Sequence, residues 1–100
     1  MATLYITEFT MAMSTIGTTK APILPQPPNF EQTVTISATA AQSGAFDEDT
    51  NCIRVIADAA CSILIGANPV ATAANMRLAA NVPEYFGVPN SFKLSVITNS

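Results

Sequence analysis

Apolar and polar positions alternate in short runs along much of this chain, and the period is that of strands. Thr3-Leu4-Tyr5-Ile6-Thr7-Glu8-Phe9 is rich in β-branched and aromatic residues and predicts a first strand. Gln32-Thr33-Val34-Thr35-Ile36-Ser37 is the cleanest period-two segment, with Val34 and Ile36 on one face and hydroxyls on the other. Asn51 to Ala57 and Ala60 to Ile65, separated by Asp58-Ala59, predict a hairpin, and Gly66-Ala67-Asn68-Pro69 closes its second strand. Met76-Arg77-Leu78 and Tyr85-Phe86-Gly87-Val88 predict two short strands. Pro89-Asn90 then turns the chain into a last one, Phe92 to Thr98, with Phe92, Leu94 and Val96 on one face and Lys93 and Ser95 on the other.

The intervening segments carry turn and loop chemistry. Met11 to Lys20 is a Met/Ser/Thr/Gly stretch that predicts an extended loop. Ala21 to Pro28 holds Pro22, Pro25, Pro27 and Pro28, which lack ladder donors and favour an extended or edge path. Ala38 to Ala45 is small and polar, hence a loop or a weak strand. Val70 to Asn75 would tolerate a helical turn, but six residues without a cap make a poor helix. Strands spaced near ten residues apart predict an all-β fold. The expectation is one domain over residues 1–100, a small β-sandwich or barrel of six to seven short antiparallel strands, with residues 10–30 as an extended Pro-rich loop or arm. Leu4, Ile6, Val34, Ile36, Val55, Ile63, Ile65, Leu94 and Val96 are its candidate core.

Composition narrows what such a domain does. Of the 100 residues, 49% are hydrophobic and only 11% are charged, against roughly 25% charged in ordinary soluble domains. A surface so sparse in charge needs little desolvation on docking, as suits a protein built into an assembly. The net charge is −3, and the four cations, Lys20, Arg54, Arg77 and Lys93, are scattered. The clustered Lys/Arg footprint of a nucleic-acid binder is therefore missing, and no nucleic-acid partner is expected. The longest mostly apolar stretch, Cys52 to Val70, is broken by Arg54, Asp58, Ser62, Gly66, Asn68 and Pro69, so no membrane partner is expected. No basic segment followed by an apolar run opens the chain, so no signal peptide is expected.

The sequence contains no His, which removes the usual general base and both the Ser-His-Asp and Cys-His layouts. An enzyme here would be a carboxylate hydrolase built on two of Asp47, Asp49, Asp58 and Glu84, and nothing in their spacing brings them together. Asp47-Glu48-Asp49 reads as a solvated turn. Asp47, Asp49, Asn51 and Asp58 do occupy positions 1, 3, 5 and 12 of a calcium loop. Position 6, however, is Cys52 where the turn needs Gly, and Ile53 to Ala57 has a strand pattern. A weak cation site on Asp47 and Asp49 alone stays open. Cys52 and Cys61 lack the companions of a zinc site. A turn at Asp58-Ala59 would put them several residues out of register, so two reduced thiols acting as small hydrophobes are expected. Gly17, Gly44, Gly66 and Gly87 lie too far apart for a phosphate loop. The rings of Tyr5, Phe9, Phe30, Tyr85, Phe86 and Phe92 lack the basic residues that accompany base stacking. No catalytic, cofactor or metal residue is assigned.

Several stretches nonetheless carry a family likeness. They are Met1 to Phe9, the run Phe46 to Thr72 with Ile53-Arg54-Val55, Asp58-Ala59-Ala60-Cys61-Ser62 and Gly66-Ala67-Asn68-Pro69, and Met76-Arg77-Leu78-Ala79-Ala80-Asn81 to Glu84-Tyr85-Phe86. Together they resemble small virion structural proteins of tailed bacteriophages, of the head decoration or cement kind. The resemblance implies a non-enzymatic protein on the outer capsid surface of the virion, assembled in the host cytoplasm. It would bridge subunits of the major capsid protein as a homo-oligomer such as a trimer. The alternative is a tail or head-appendage protein involved in host-surface recognition. Interface candidates on this reading are Leu4, Tyr5, Ile6, Phe9, Pro25, Pro27, Pro28, Phe30, Arg77, Glu84, Tyr85 and Phe86. The terminal strands Thr3 to Phe9 and Phe92 to Thr98 are candidates for adding to a partner's sheet edge.

Overall fold

The computed structural model describes residues 2–10, 12–16, 19–23 and 28–99, with side chains at 2–10 and 28–99. The described residues form strands and no helix. The strands are β1 (Ala2–Phe9), β2 (Ala12–Ile16), β3 (Thr19–Ile23), β4 (Phe30–Ile36), β5 (Ala41–Gln42), β6 (Cys52–Ala57), β7 (Cys61–Gly66), β8 (Met76–Leu78), β9 (Glu84–Gly87) and β10 (Lys93–Thr98). Eight of them build two four-stranded antiparallel sheets, ordered β4-β1-β6-β9 and β5-β10-β7-β8, and β2 pairs with β3 alone. The all-β class and the two packed sheets are those the alternation predicts. There are more strands than six or seven because β2 and β3 lie in segments expected to be loop or arm, and β5 has only two residues, too short to show a period.

The order of pairing identifies the topology. Counting from β4 to β10 and taking β1 last, the first strand pairs with the eighth, the second with the seventh, the third with the sixth and the fourth with the fifth. This nesting is the jelly roll, two Greek keys closed face to face. Here the roll is opened between its last two strands, so the first described strand, β1, lies in the middle of a sheet. The two ends of the described chain consequently meet. Ala2 pairs with Ile36, and the Thr98 amide donates to the Ser37 carbonyl at 2.9 Å.

Two sequence expectations are corrected by this topology. β6 and β7 do not form a hairpin. β6 lies between β1 and β9, whereas β7 lies between β10 and β8 in the opposite sheet. Asp58-Ala59-Ala60 carries the chain from one layer to the other, held by the Asp58 amide on the Thr3 carbonyl and the Thr3 amide on Asp58 Oδ1. Two apolar strands joined by a short polar turn look alike whether they pair or arch, because both need one face buried. Similarly, Met11 to Lys20 departs from the expected loop where it is described, at residues 12–16 and 19–20. It contributes β2 and the start of β3, registered from Ala12↔Ile23 to Ile16↔Thr19. Gly17 and Thr18, which separate the two strands in sequence, lie outside the described residues. Pro22 sits opposite Met13, and a two-stranded ribbon accepts it because each strand keeps one free edge. Pro25 and Pro27 lie outside the described residues.

The core fills from both inner faces. Leu4, Ile6, Val34, Ile36, Val55, Ile63, Leu94 and Val96 are buried there, and Ile65 is partly buried against them. Phe46, Ile53, Ala57, Cys61, Leu78 and Val88 complete the layer. Phe46 comes from the β5–β6 connection, where its amide donates to the Phe92 carbonyl at 2.8 Å.

Candidate interaction faces and the ribbon root

The β2–β3 ribbon leaves the sandwich between β1 and β4, and a polar network holds that point. Glu8 continues the inward series of Leu4 and Ile6, so its carboxylate is fully buried at the end of the core. It is not stranded there. Oε1 accepts from the Asp47 amide at 2.8 Å and from Thr50 Oγ1 at 2.9 Å, and Oε2 accepts from Gln32 Nε2 at 3.0 Å. Gln32 Oε1 in turn accepts from the Gly44 amide at 2.8 Å. Beyond Glu8, the Asn29 amide donates to the Glu8 carbonyl at 2.7 Å, and Asn29 Nδ2 donates to Thr10 Oγ1 at 2.8 Å. Thr10 Oγ1 donates to the Asp49 carbonyl, and the Asn51 amide donates to the Phe9 carbonyl. Every buried side-chain polar atom among the described residues has a partner. Both stems of the ribbon are thus tied to the loop of residues 43–51.

The acidic run belongs to this network. Asp47 Oδ2 accepts from the Asp49 amide at 3.3 Å, and the Asp47 carbonyl accepts from the Thr50 amide at 3.0 Å. Asp47 and Asp49 therefore shape a turn that delivers two donors to Glu8, and Asp58 caps the arch between the sheets. No group of three or more His, Cys, Asp or Glu able to hold a metal ion occurs among the described residues. Glu8 is the residue that sequence reasoning overlooked. Its signal was parity, since a carboxylate two places after Ile6 in a strand must turn inward.

The two outer faces of the sandwich differ. On the β5-β10-β7-β8 sheet, the β7–β8 connection folds back across the surface. Pro69 and Ala71 are buried beneath it, the Ala71 amide donates to Ser95 Oγ at 2.9 Å, and Asn99 Nδ2 reaches Ser62 Oγ at 2.7 Å. Ser62 and Ser95, outward by parity, are fully buried as a result. Beside this loop is an open depression of about 260 Å³ lined by Ile63, Leu64, Ile65, Asn75 and Met76. On the β4-β1-β6-β9 sheet, Tyr5 and Tyr85 stand outward and are about half exposed, with Ile56 and Arg54 partly exposed between them.

The interface candidates divide accordingly. Leu4, Ile6 and Phe9 are buried, so β1 offers Tyr5 and not its apolar series. Phe30 is 55% exposed because it lies past the end of the core, opposite Glu8 at the ribbon root, with Pro28 half-buried close by. Tyr85 and Glu84 are exposed on β9, while Phe86 packs against the core. Arg77 is on the far sheet, its Nε donating to the Asn99 carbonyl at 3.1 Å. The terminal strands have no edge to lend, since β1 is paired on both sides by β4 and β6, and β10 by β5 and β7. Cys52 and Cys61 are free and buried, and burial pushes both thiols above their ordinary pKa, with Arg77 pulling Cys61 partway back.

Compared with protein-family models, with curated protein sequences and with solved structures, the chain gives no match.

Proposed function

We propose that this chain is a non-catalytic virion protein that decorates the outer surface of a phage head and stabilises the shell by bridging capsid subunits. The observation that carries this reading is the ribbon: a self-paired two-stranded arm on a jelly-roll body, its stems fixed by the Glu8 network. β2 and β3 each have one backbone edge unused by the other, which a neighbouring sheet edge can extend. A root held by hydrogen bonds limits the ordering cost of such docking. A ligand that binds only the assembled shell stabilises it by mass action, so many weak copies suffice. The sparse charge of the surface fits contact with a protein lattice, and the resemblance to cement proteins supplies the partner, the major capsid protein.

Imaging of the particle that contains the chain tests this. The expected result is a regular lattice of copies on the head, lost when residues 11–27 are replaced by a short turn. A few copies at one vertex or on the tail would instead favour host-surface recognition. Full head occupancy without the ribbon would remove the arm from the mechanism.

A further inference from the structure

On the exposed face of the β4-β1-β6-β9 sheet, two opposite charges occupy one row. Thr7 pairs with Glu31 on one side and with Arg54 on the other. Two strand spacings put those backbones about 10 Å apart. Neither charged side chain has a hydrogen bond or ion pair among the described residues. The next row reads Thr33, Tyr5, Ile56, and none of these six side chains is buried.

A two-fold axis laid along β1 in the plane of contact turns β4 of one copy over β6 of another and keeps the rows in step. Glu31 then faces Arg54 twice, once on each side of the axis. Tyr5 meets its counterpart on the axis, and Thr33 meets Ile56. A partner surface of one sign would satisfy one charge of the row and oppose the other. The surface that satisfies both is the same face rotated, which is the condition for an isologous contact. We propose that the chain self-associates face to face across this sheet as a two-fold dimer, with Tyr5 at its centre and paired Glu31–Arg54 contacts at its sides. This inference stands apart from the shell reading and holds whichever surface the ribbon engages.

Size sets the strength. With the axis along β1, only β4, β1 and β6 meet their counterparts, and three strands by about six residues make a face of roughly 14 by 20 Å, below the area typical of a permanent interface. The dimer is therefore weak in dilute solution and sensitive to salt.

Analytical ultracentrifugation of the full chain at low ionic strength tests it. The mean mass should rise with concentration from one chain toward two. Glu31→Arg and Arg54→Glu should each weaken association roughly tenfold or more, since like charges then face each other. An equimolar mixture of the two variants should recover wild-type association, because the mixed dimer pairs opposite charges on both sides. Tyr5→Lys, with its circular dichroism unchanged, should abolish association in a way no mixing rescues. A wild-type chain that stays monomeric at millimolar concentration, or that forms trimers, overturns the proposal. So do charge variants that associate normally, or a mixture no better than either variant alone.

Discussion

Gln32 donates a 3.0 Å hydrogen bond from Nε2 to Oε2 of Glu8, and the two residues are diagonal neighbours on the inner face of one sheet. This pair closes the ribbon end of an otherwise apolar core. A buried carboxylate is tolerated there because three donors reach it. Glu8→Ala would leave the Asp47 amide, the Thr50 hydroxyl and the Gln32 amide without that acceptor. The expected cost is about 3 kcal/mol, read as a lower urea midpoint at unchanged m-value. Glu8→Gln should cost less, because one carbonyl acceptor remains. Equal stability of Glu8→Ala and the wild type would refute the clamp.

The same network predicts that the sandwich does not need the ribbon. Glu8 pairs with Phe30, and Asn29 is bonded to both Glu8 and Thr10, so the two stems already lie side by side. Replacing residues 11–27 with a short turn should change stability by about 1 kcal/mol at most, because shortening a closed loop alters its entropy only logarithmically. Thermal unfolding checks this. A collapse of the cooperative transition would mean that the ribbon belongs to the folding unit.

What the sequence disclosed and what it withheld follow from the range of each signal. Leu4, Ile6, Val34, Ile36, Leu94 and Val96 were legible as core because alternation is local and survives any partner choice. The pairing of β6 was not legible, since Ile53 and Val55 are as apolar beside β1 as they would be beside β7. The opening of the roll between β10 and β1 is a relation between chain ends and leaves no local trace. Tyr5 and Tyr85 were picked out as aromatic residues in strands, and their common outward face needed the register through Ile56 and Arg54. Glu8 was readable in principle, but an inward carboxylate makes sense only once residues 43–51 are seen to return to it.

The loop over the second sheet makes its own prediction. Ser95 Oγ is the acceptor for the buried Ala71 amide, so Ser95→Ala leaves that donor unpaired at a cost of about 1–3 kcal/mol. The effect should be local. Hydrogen exchange at Ala71 should accelerate, while the Leu94 amide keeps its protection, because it donates to Ser43 Oγ on the other side of β10 and does not depend on Ser95. Uniform acceleration across both sheets would show that the loop is part of the global unfolding unit.

Cys52 and Cys61 yield a pH dependence with a definite sign. Their thiols lie in different layers, Cys52 opposite Phe9 and Gly87 and Cys61 opposite Thr98 and Leu78, so no disulfide joins them. Burial raises both folded-state pKa values, and at Cys61 the Arg77 charge offsets part of the rise. Below about pH 8.5 both thiols are protonated in the folded and unfolded chains alike, and their contribution to stability is constant. Above it the unfolded chain loses thiol protons first, so stability falls as pH rises toward the folded-state values. The Cys52→Ala, Cys61→Ala double variant should lose about 1–2 kcal/mol at pH 7 from the deleted buried sulfurs. It should also show a shallower decline than the wild type across the window above about pH 8.5. Parallel stability curves across that window would show that the two thiols ionise as readily in the folded chain as in the unfolded one.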